Sequence, residues 1–255
     1  MSRVGINSSI LWEFGGKFWL EEIQPDFVEL SLAELHPEKW DEAVEKVKEY
    51  DLTIHAPYQN SPVEVTRIDL ARNIGIKTAE KVLKFAEKVN AEAVVFHCGD
   101  VFRNCEDSLN NVIKNLKELE KRTDVEILVE NLYRDESGIC RVGETPTEML
   151  QIVESCKKVS VNIDIGHAYL SSLLIKNFEV NEFFKKLNGS IRHMHAHNNF
   201  GIWTIPYDEH NPIFRGLINY AELRKYIRRL DRIVLEIKRG SLEEIVQSMS
   251  FLKNL

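Results

Sequence analysis

The chain has 255 residues, 44% hydrophobic and 29% charged, with a formal net charge of −7. That length allows one large domain or two small ones, and the composition is that of a globular protein. The acidic balance weighs against a dedicated nucleic-acid binder with a basic face, and no apolar run reaches the roughly 18–20 residues that span a bilayer.

Eight short apolar segments read as strands: Arg3–Ser8, Asp26–Leu30, Leu52–Pro57, Ala93–Cys98, Glu126–Asn131, Ser160–Ile165, Ile191–His197 and Arg232–Ile237. Most are rich in Val and Ile and apolar almost throughout, as strands buried on both faces are. Helical patterns fill most gaps. Lys77–Asn90 sets Ala79, Val82, Leu83, Ala86 and Val89 on one stripe, and Ser108–Lys121 does the same with Leu109, Val112, Ile113, Leu116 and Leu119. Thr145-Pro146-Thr147-Glu148 carries a capping residue, a first-turn proline and a capping-box glutamate, which predicts a helix to about Lys157. A last helix is expected over Leu242–Leu252. The basic run Arg224, Lys225, Arg228, Arg229 and Arg232 is expected on the solvated face of the helix before the eighth strand.

Strands alternating with helices over this length predict a single-domain α/β protein, a (β/α)8 TIM barrel over residues 1–255. An open doubly wound sheet also alternates strand and helix. The barrel additionally explains where the polar residues fall. His55, His97, Glu130, Asp164, His167, His195, Asp208, His210 and Glu236 all lie at or just beyond the C-terminal ends of predicted strands three to eight. In a barrel those ends share one mouth. Imidazoles and carboxylates converging there are what divalent metal ions need, and nine donors suit two or three ions bridged by carboxylates. The first two strands offer none.

Each donor also has a plainer reading. A single histidine in an apolar strand is more often a satisfied core residue. Glu130 and Glu236 are harder to dismiss, because each ends an apolar strand without a Lys or Arg inside it, and a buried carboxylate needs a positive partner. Asp164 and His167 straddle a glycine, read as a turn, and Asp208 and His210 share one side of an extended segment. His193, His195 and His197 alternate and face the same way; one of them is a donor and the others can orient donors from behind. Aromatic residues that can shape the mouth are Trp12, Phe14, Phe18 and Trp19 after the first strand, Tyr133 after Glu130, and Phe200, Trp203 and Tyr207 in the seventh loop. Loop packing or a dimer contact is an equal use for them.

The four cysteines, Cys98, Cys105, Cys140 and Cys156, form no CxxC pair and suggest neither a zinc finger nor a disulfide framework. The N-terminal MSRVGINSS has no apolar core of signal-peptide length. A reduced cytoplasmic location is expected.

His55-Ala-Pro-Tyr58, the strands ending in His97 and Glu130, the Asp164–His167 pair, Met194-His195, Asp208-Glu209-His210 and Leu235-Glu236 together resemble the xylose isomerase-like TIM barrel superfamily, also called AP endonuclease family 2. The pattern is most similar to that of endonuclease IV. The resemblance implies zinc, in a cluster of two or three ions, with manganese an alternative. It assigns His55, His97 and Glu130 to one ion, Glu130, Asp164, His195 and Glu236 to a second, and His167, Asp208 and His210 to a third. It selects His195 among the three alternating histidines. It implies either hydrolysis of a phosphoester such as abasic DNA, with Glu130 bridging and Glu236 or Asp164 orienting water, or isomerisation or epimerisation of a small sugar or sugar phosphate, with Glu130 and Glu236 moving the proton. The DIGH, NLYRDESG and Phe214-Arg215-Gly216 segments depart from the endonuclease pattern, and so does Gln59 after Tyr58. These departures bear on DNA recognition more than on metal binding. Lys238 and Arg239, just beyond the eighth strand, can meet a phosphate or stand solvated.

Overall fold

A computed structural model of the chain describes residues 2–14, 17–175 and 178–255. The side chains of Trp12, Phe14 and Phe18, expected at the mouth, lie outside the described part.

Eight parallel strands close into a barrel: β1 (Arg3–Asn7), β2 (Phe27–Ser31), β3 (Asp51–His55), β4 (Ala93–His97), β5 (Glu126–Glu130), β6 (Val159–Asp164), β7 (Ile191–Ala196) and β8 (Arg232–Leu235). β8 returns to β1 in parallel, with Arg3 beside Arg232 and Ile6 beside Leu235. All eight expected strands are present, most ending a residue or two early. The expected helices form as Ile76–Lys88, Cys105–Leu119, Pro146–Ser155 and Leu242–Lys253. Thr145 closes the capping box: its hydroxyl accepts from the Glu148 backbone N–H, and the Glu148 carboxylate accepts from the Thr145 N–H, both at 3.2 Å.

The main apolar core lies between the barrel and the helices. Val94 and Phe96 face it from β4, and Val82, Leu83, Val112 and Leu116 meet it from the helix side. Ala93, Val95 and Leu128 form a separate small apolar cluster. Strand alternation turns Ala93, Val95 and His97 to the opposite face from Val94 and Phe96, which is the barrel interior. Gly5 makes room inside for Phe27, since a Cβ on it would lie 2.7 Å from that ring. The rest of the interior is largely polar, unlike the branched aliphatic layers usual in such barrels.

Strand register sets polar residues at one height. His97 pairs with Glu130, and Glu130 with Asn162. A register irregularity between Val161 and Asn162 brings Asp164 beside His195 and Asn162 beside His193. The sequence expectation is corrected at two places. Arg232 does not lie on a solvated helix face. It starts β8, is buried, and reaches Glu92 at 3.2 Å and also Glu126. The residues around Gly166 are not a turn either. β6 runs directly into the helix Ile165–Leu174, with Asp164 as its cap accepting from the His167 N–H at 2.7 Å.

Candidate metal centre

The nine residues singled out in the sequence converge at the mouth. Glu130 sits at the middle. Its Oε2 lies 3.4 Å from His55 Nε2 and 3.2 Å from His195 Nδ1. Its Oε1 lies 3.3 Å from His97 Nε2 and 3.2 Å from His167 Nδ1. His195 Nδ1 is also 3.0 Å from Glu236 and 3.8 Å from Asp164. Asp208 Oδ2 lies 2.7 Å from His210 Nε2 and 3.4 Å from His167 Nε2. The last trio forms although His210 is not extended. Its φ of +49° turns the ring back over Asp208.

All of these residues are buried or nearly so. Every ion pair that Glu130, Asp164, Asp208 and Glu236 make among the described residues is with an imidazole. Burial pushes each carboxyl up, yet the imidazoles hold Glu130, Asp208 and Glu236 well below the ordinary carboxylate range and Asp164 below it. His167 and His195 are in turn held well above the ordinary histidine value, against burial, by the carboxylates around them. Several buried polar atoms have no aligned hydrogen-bond partner among the described residues: His97 Nδ1, both ring nitrogens of His195, His197 Nδ1 and Asp208 Oδ1. Buried orphans on this scale mark a binding site rather than a finished core.

Donor atoms close enough to share an ion form five overlapping groups. They are His167, His197, Asp208 and His210; Asp164, His195 and Glu236; His55, Glu130 and His195; Glu130, Asp164 and His167; and Glu29, His193 and His195. These residues fit divalent ions, since the chemistry is imidazole and carboxylate throughout and the orphaned atoms need partners.

Two residues were missed or left behind the donors by the sequence. Glu29 on β2 is fully buried and touches His193 and His195, so the second strand does contribute to the polar interior. Its signal was weak: one acid in the middle of FVELS rather than at the strand end. Burial pushes it up, but the two imidazoles hold it far below the ordinary carboxylate range. His197 lies 3.1 Å from Asp164 and stacks on His210 with ring centroids 4.0 Å apart. A Cβ at Gly166 would lie 1.9 Å from the His197 ring. The glycine of DIGH is therefore what admits that ring.

A cavity of about 180 Å³ opens onto the cluster, with Tyr58, Gln59, Tyr133, Arg141 and Lys238 on its wall. Tyr58 stacks on His97 at 4.7 Å, and Tyr133 leans on His167 at 5.0 Å. Lys238 Nζ lies 3.1 Å from His210 Nε2, and nearby acids, Glu236 first, raise its pKa against burial. Trp203, expected to help shape the mouth, is largely exposed.

The sequence profile described as xylose isomerase-like TIM barrel matches residues 19–255. The chain belongs to this family. It is 29% identical to an uncharacterized protein of Methanocaldococcus jannaschii, over 83% of this chain and 81% of that protein. It is 24% identical to a probable endonuclease 4 of Mycoplasmopsis pulmonis, over 71% of this chain and 66% of that protein. Among solved structures it superposes on a D-tagatose 3-epimerase-like protein with a TM-score of 0.78 and 24% identity, covering 99% of this chain and 96% of the other. The four cysteines are free, and among the described residues no helix is long and apolar enough to cross a membrane.

Proposed function

We propose that this family member is a metal-dependent phosphoester hydrolase acting at a sugar–phosphate linkage, with abasic DNA as the leading substrate. The observation that carries the reading is the size of the donor set. A site of Glu130, Asp164, His195 and Glu236 suffices for one ion and for isomerase chemistry. His55, His97, His167, Asp208 and His210 then have no use, yet each is directed at the same cluster. Bound divalent ions, zinc before manganese, would supply positive charge that clamps phosphate oxygens and acidifies water. In this reading His55 and His97 flank Glu130 on one side, His195, Asp164 and Glu236 on another, and His167, Asp208 and His210 hold the third position. Glu130 bridges. Glu236 or Asp164 would orient the attacking water by accepting a hydrogen bond from it.

A small cavity is compatible with a duplex substrate. A space of about 180 Å³ admits one sugar-phosphate unit. A lesion sugar turned out of the helix fits that limit, and a nucleotide without a base is the least costly to extrude. Lys238 sets an ammonium at the wall despite the negative total charge, and Tyr58 and Tyr133 provide flat faces beside the sugar.

The same cavity also favours a second reading, a sugar or sugar-phosphate isomerase or epimerase. Both Glu130 and Glu236 line it, so the pair can pass a proton between two faces of a small substrate. Cleavage of a duplex oligonucleotide with a single abasic site, in zinc or manganese and with a chelator control, separates the two. Metal-dependent cutting 5′ to the lesion is the expected result. Intact DNA with metal-loaded protein would overturn the hydrolase reading and leave the isomerase.

A further inference from the structure

The imidazoles at the mouth do not all present the same nitrogen. His55 Nδ1 lies 2.9 Å from the Ala56 carbonyl, and His210 Nδ1 lies 2.8 Å from the Glu236 carbonyl. His167 Nδ1 lies 3.0 Å from the Asn131 carbonyl. A carbonyl can only accept, so each of these rings has a proton on Nδ1 and leaves Nε2 to face a carboxylate of the cluster, although His167 Nδ1 also lies 3.2 Å from Glu130. His195 is reversed. Its Nδ1 meets Glu236, Glu130 and Asp164, and its Nε2 lies 2.9 Å from Glu29 Oε1. Where three rings have a backbone carbonyl behind them, His195 has a side chain.

Glu29 is held from all sides. Asn7 Nδ2 donates to Oε1 at 3.0 Å, beside His195 Nε2. Thr53 Oγ1 donates to Oε2 at 3.4 Å, beside His193 Nε2 at 3.1 Å. Each oxygen thus has two polar neighbours, although the His195 contact is close without being aligned as a hydrogen bond. The protonation of His193 follows from below. Arg232 Nε lies 3.2 Å from His193 Nδ1 and can only donate, so His193 carries its proton on Nε2 and donates to Glu29. Arginine is permanently charged, so this direction is fixed.

We propose that Glu29 is a positioning residue that keeps the His195 proton on Nε2 and thereby aims Nδ1 at the ion site formed with Glu130, Asp164 and Glu236. The Arg232–His193 pair keeps Glu29 in place from the lower half of the barrel. Ligating histidines commonly need such an acceptor behind them, and its loss weakens metal affinity about 10–100-fold. This inference rests on the metal reading above, and on neither of the two reactions.

The test uses zinc as the probe and the whole chain. In Glu29→Gln the amide presents an N–H₂ where an acceptor stood. Titration against a competing chelator should show one class of zinc weakened about 10–100-fold, with the other classes within threefold of the unaltered protein. Long-range ¹H–¹⁵N correlation of the imidazoles should show His195 changing tautomer while His55, His167 and His210 keep theirs. Unchanged affinity in the folded variant overturns the proposal. The unaltered protein gives a second test that needs no variant. Loaded with zinc, His195 must ligate through Nδ1 and carry its proton on Nε2. Ligation through Nε2 overturns the proposal while the metal reading stands, and failure to bind zinc at all overturns both.

Discussion

At the lower end of the barrel Glu92 and Glu126 meet guanidinium groups; at the mouth every ion pair that Glu130, Asp164, Asp208 and Glu236 make among the described residues is with an imidazole, with the Lys238 ammonium farther off on the cavity wall. The difference is one of permanence. A guanidinium stays charged at any physiological pH, so the lower carboxylates are neutralised by the chain itself. An imidazole is a proton away from neutral, and the six packed around these carboxylates cannot all be charged. On the metal reading proposed above, the upper carboxylates would be completed by bound ions. On that reading, acidic residues inside one barrel would serve structure at one end and chemistry at the other, and the kind of cation beside them is the mark that separates them.

The largest expected break in this comparison is Glu130→Gln. The substitution keeps volume and one acceptor but removes the charge that His55, His97, His167 and His195 all face. The variant should lose at least one equivalent of zinc and all metal-dependent turnover. Its far-UV spectrum should be retained, because neither the strand ladder nor the outer core involves the carboxylate. Elemental analysis of the purified variant checks this, and a full metal load would remove Glu130 from the bridging role.

The upper set was easier to read from sequence than the lower. Donors such as His97 and Glu130 close apolar strands, so a polar residue stands out against its neighbours, and parallel strands in a barrel bring such ends together. The convergence of the strand-end residues was legible for that reason. Glu29 and Arg232 were not. Both sit inside or at the start of a strand, and their partners, His195 and His193 for one and Glu92, Glu126 and His193 for the other, come from distant strands. Only closure of the barrel makes them neighbours. The helix cap at Thr145 was legible because every residue it needs lies within four positions. The direct passage from β6 into a helix was hidden, because Gly166 reads locally as a turn and its real constraint is the ring of His197.

That constraint gives the next effect in size. Gly166→Ala places a methyl group against His197, and overpacking at a full site costs about 1–3 kcal/mol. The displaced ring would leave Asp164 and His210, so one class of bound zinc should weaken as well. The sign should reverse once the ring is gone. Gly166 lies within a helix without a positive φ, where alanine is favoured over glycine by about 0.5–1 kcal/mol. Adding Gly166→Ala to His197→Ala should therefore stabilise that variant in denaturant melts. Destabilisation in both backgrounds would mean that something other than the imidazole demands the glycine.

Glu92→Gln probes the lower end and should have the smallest effect. Glu92 accepts from Arg3 and from Arg232, and it is partly exposed. The loss should be about 1 kcal/mol at pH 7, the upper range for pairs reached by solvent. Zinc content should not change, since the arginines need no ion. The pH dependence follows from the direction of the shift. Hydrogen bonding to Arg3 holds Glu92 below its ordinary value, with Arg232 adding to this. A carboxyl whose folded value is depressed contributes stability that is complete above its unfolded value near pH 4.3 and is lost as pH falls through the folded one. The deficit of Glu92→Gln should accordingly be full at pH 7 and shrink as denaturation is repeated toward pH 3.5. The metal-dependent part of stability should move in the same direction for a different reason, because protons compete with zinc for every donor at the mouth. The two are told apart by the chelator, which abolishes the second slope and leaves the first. A Glu92→Gln variant that instead loses zinc would show that the two ends of the barrel are coupled through Arg232, His193 and Glu29 more tightly than their separate cations imply.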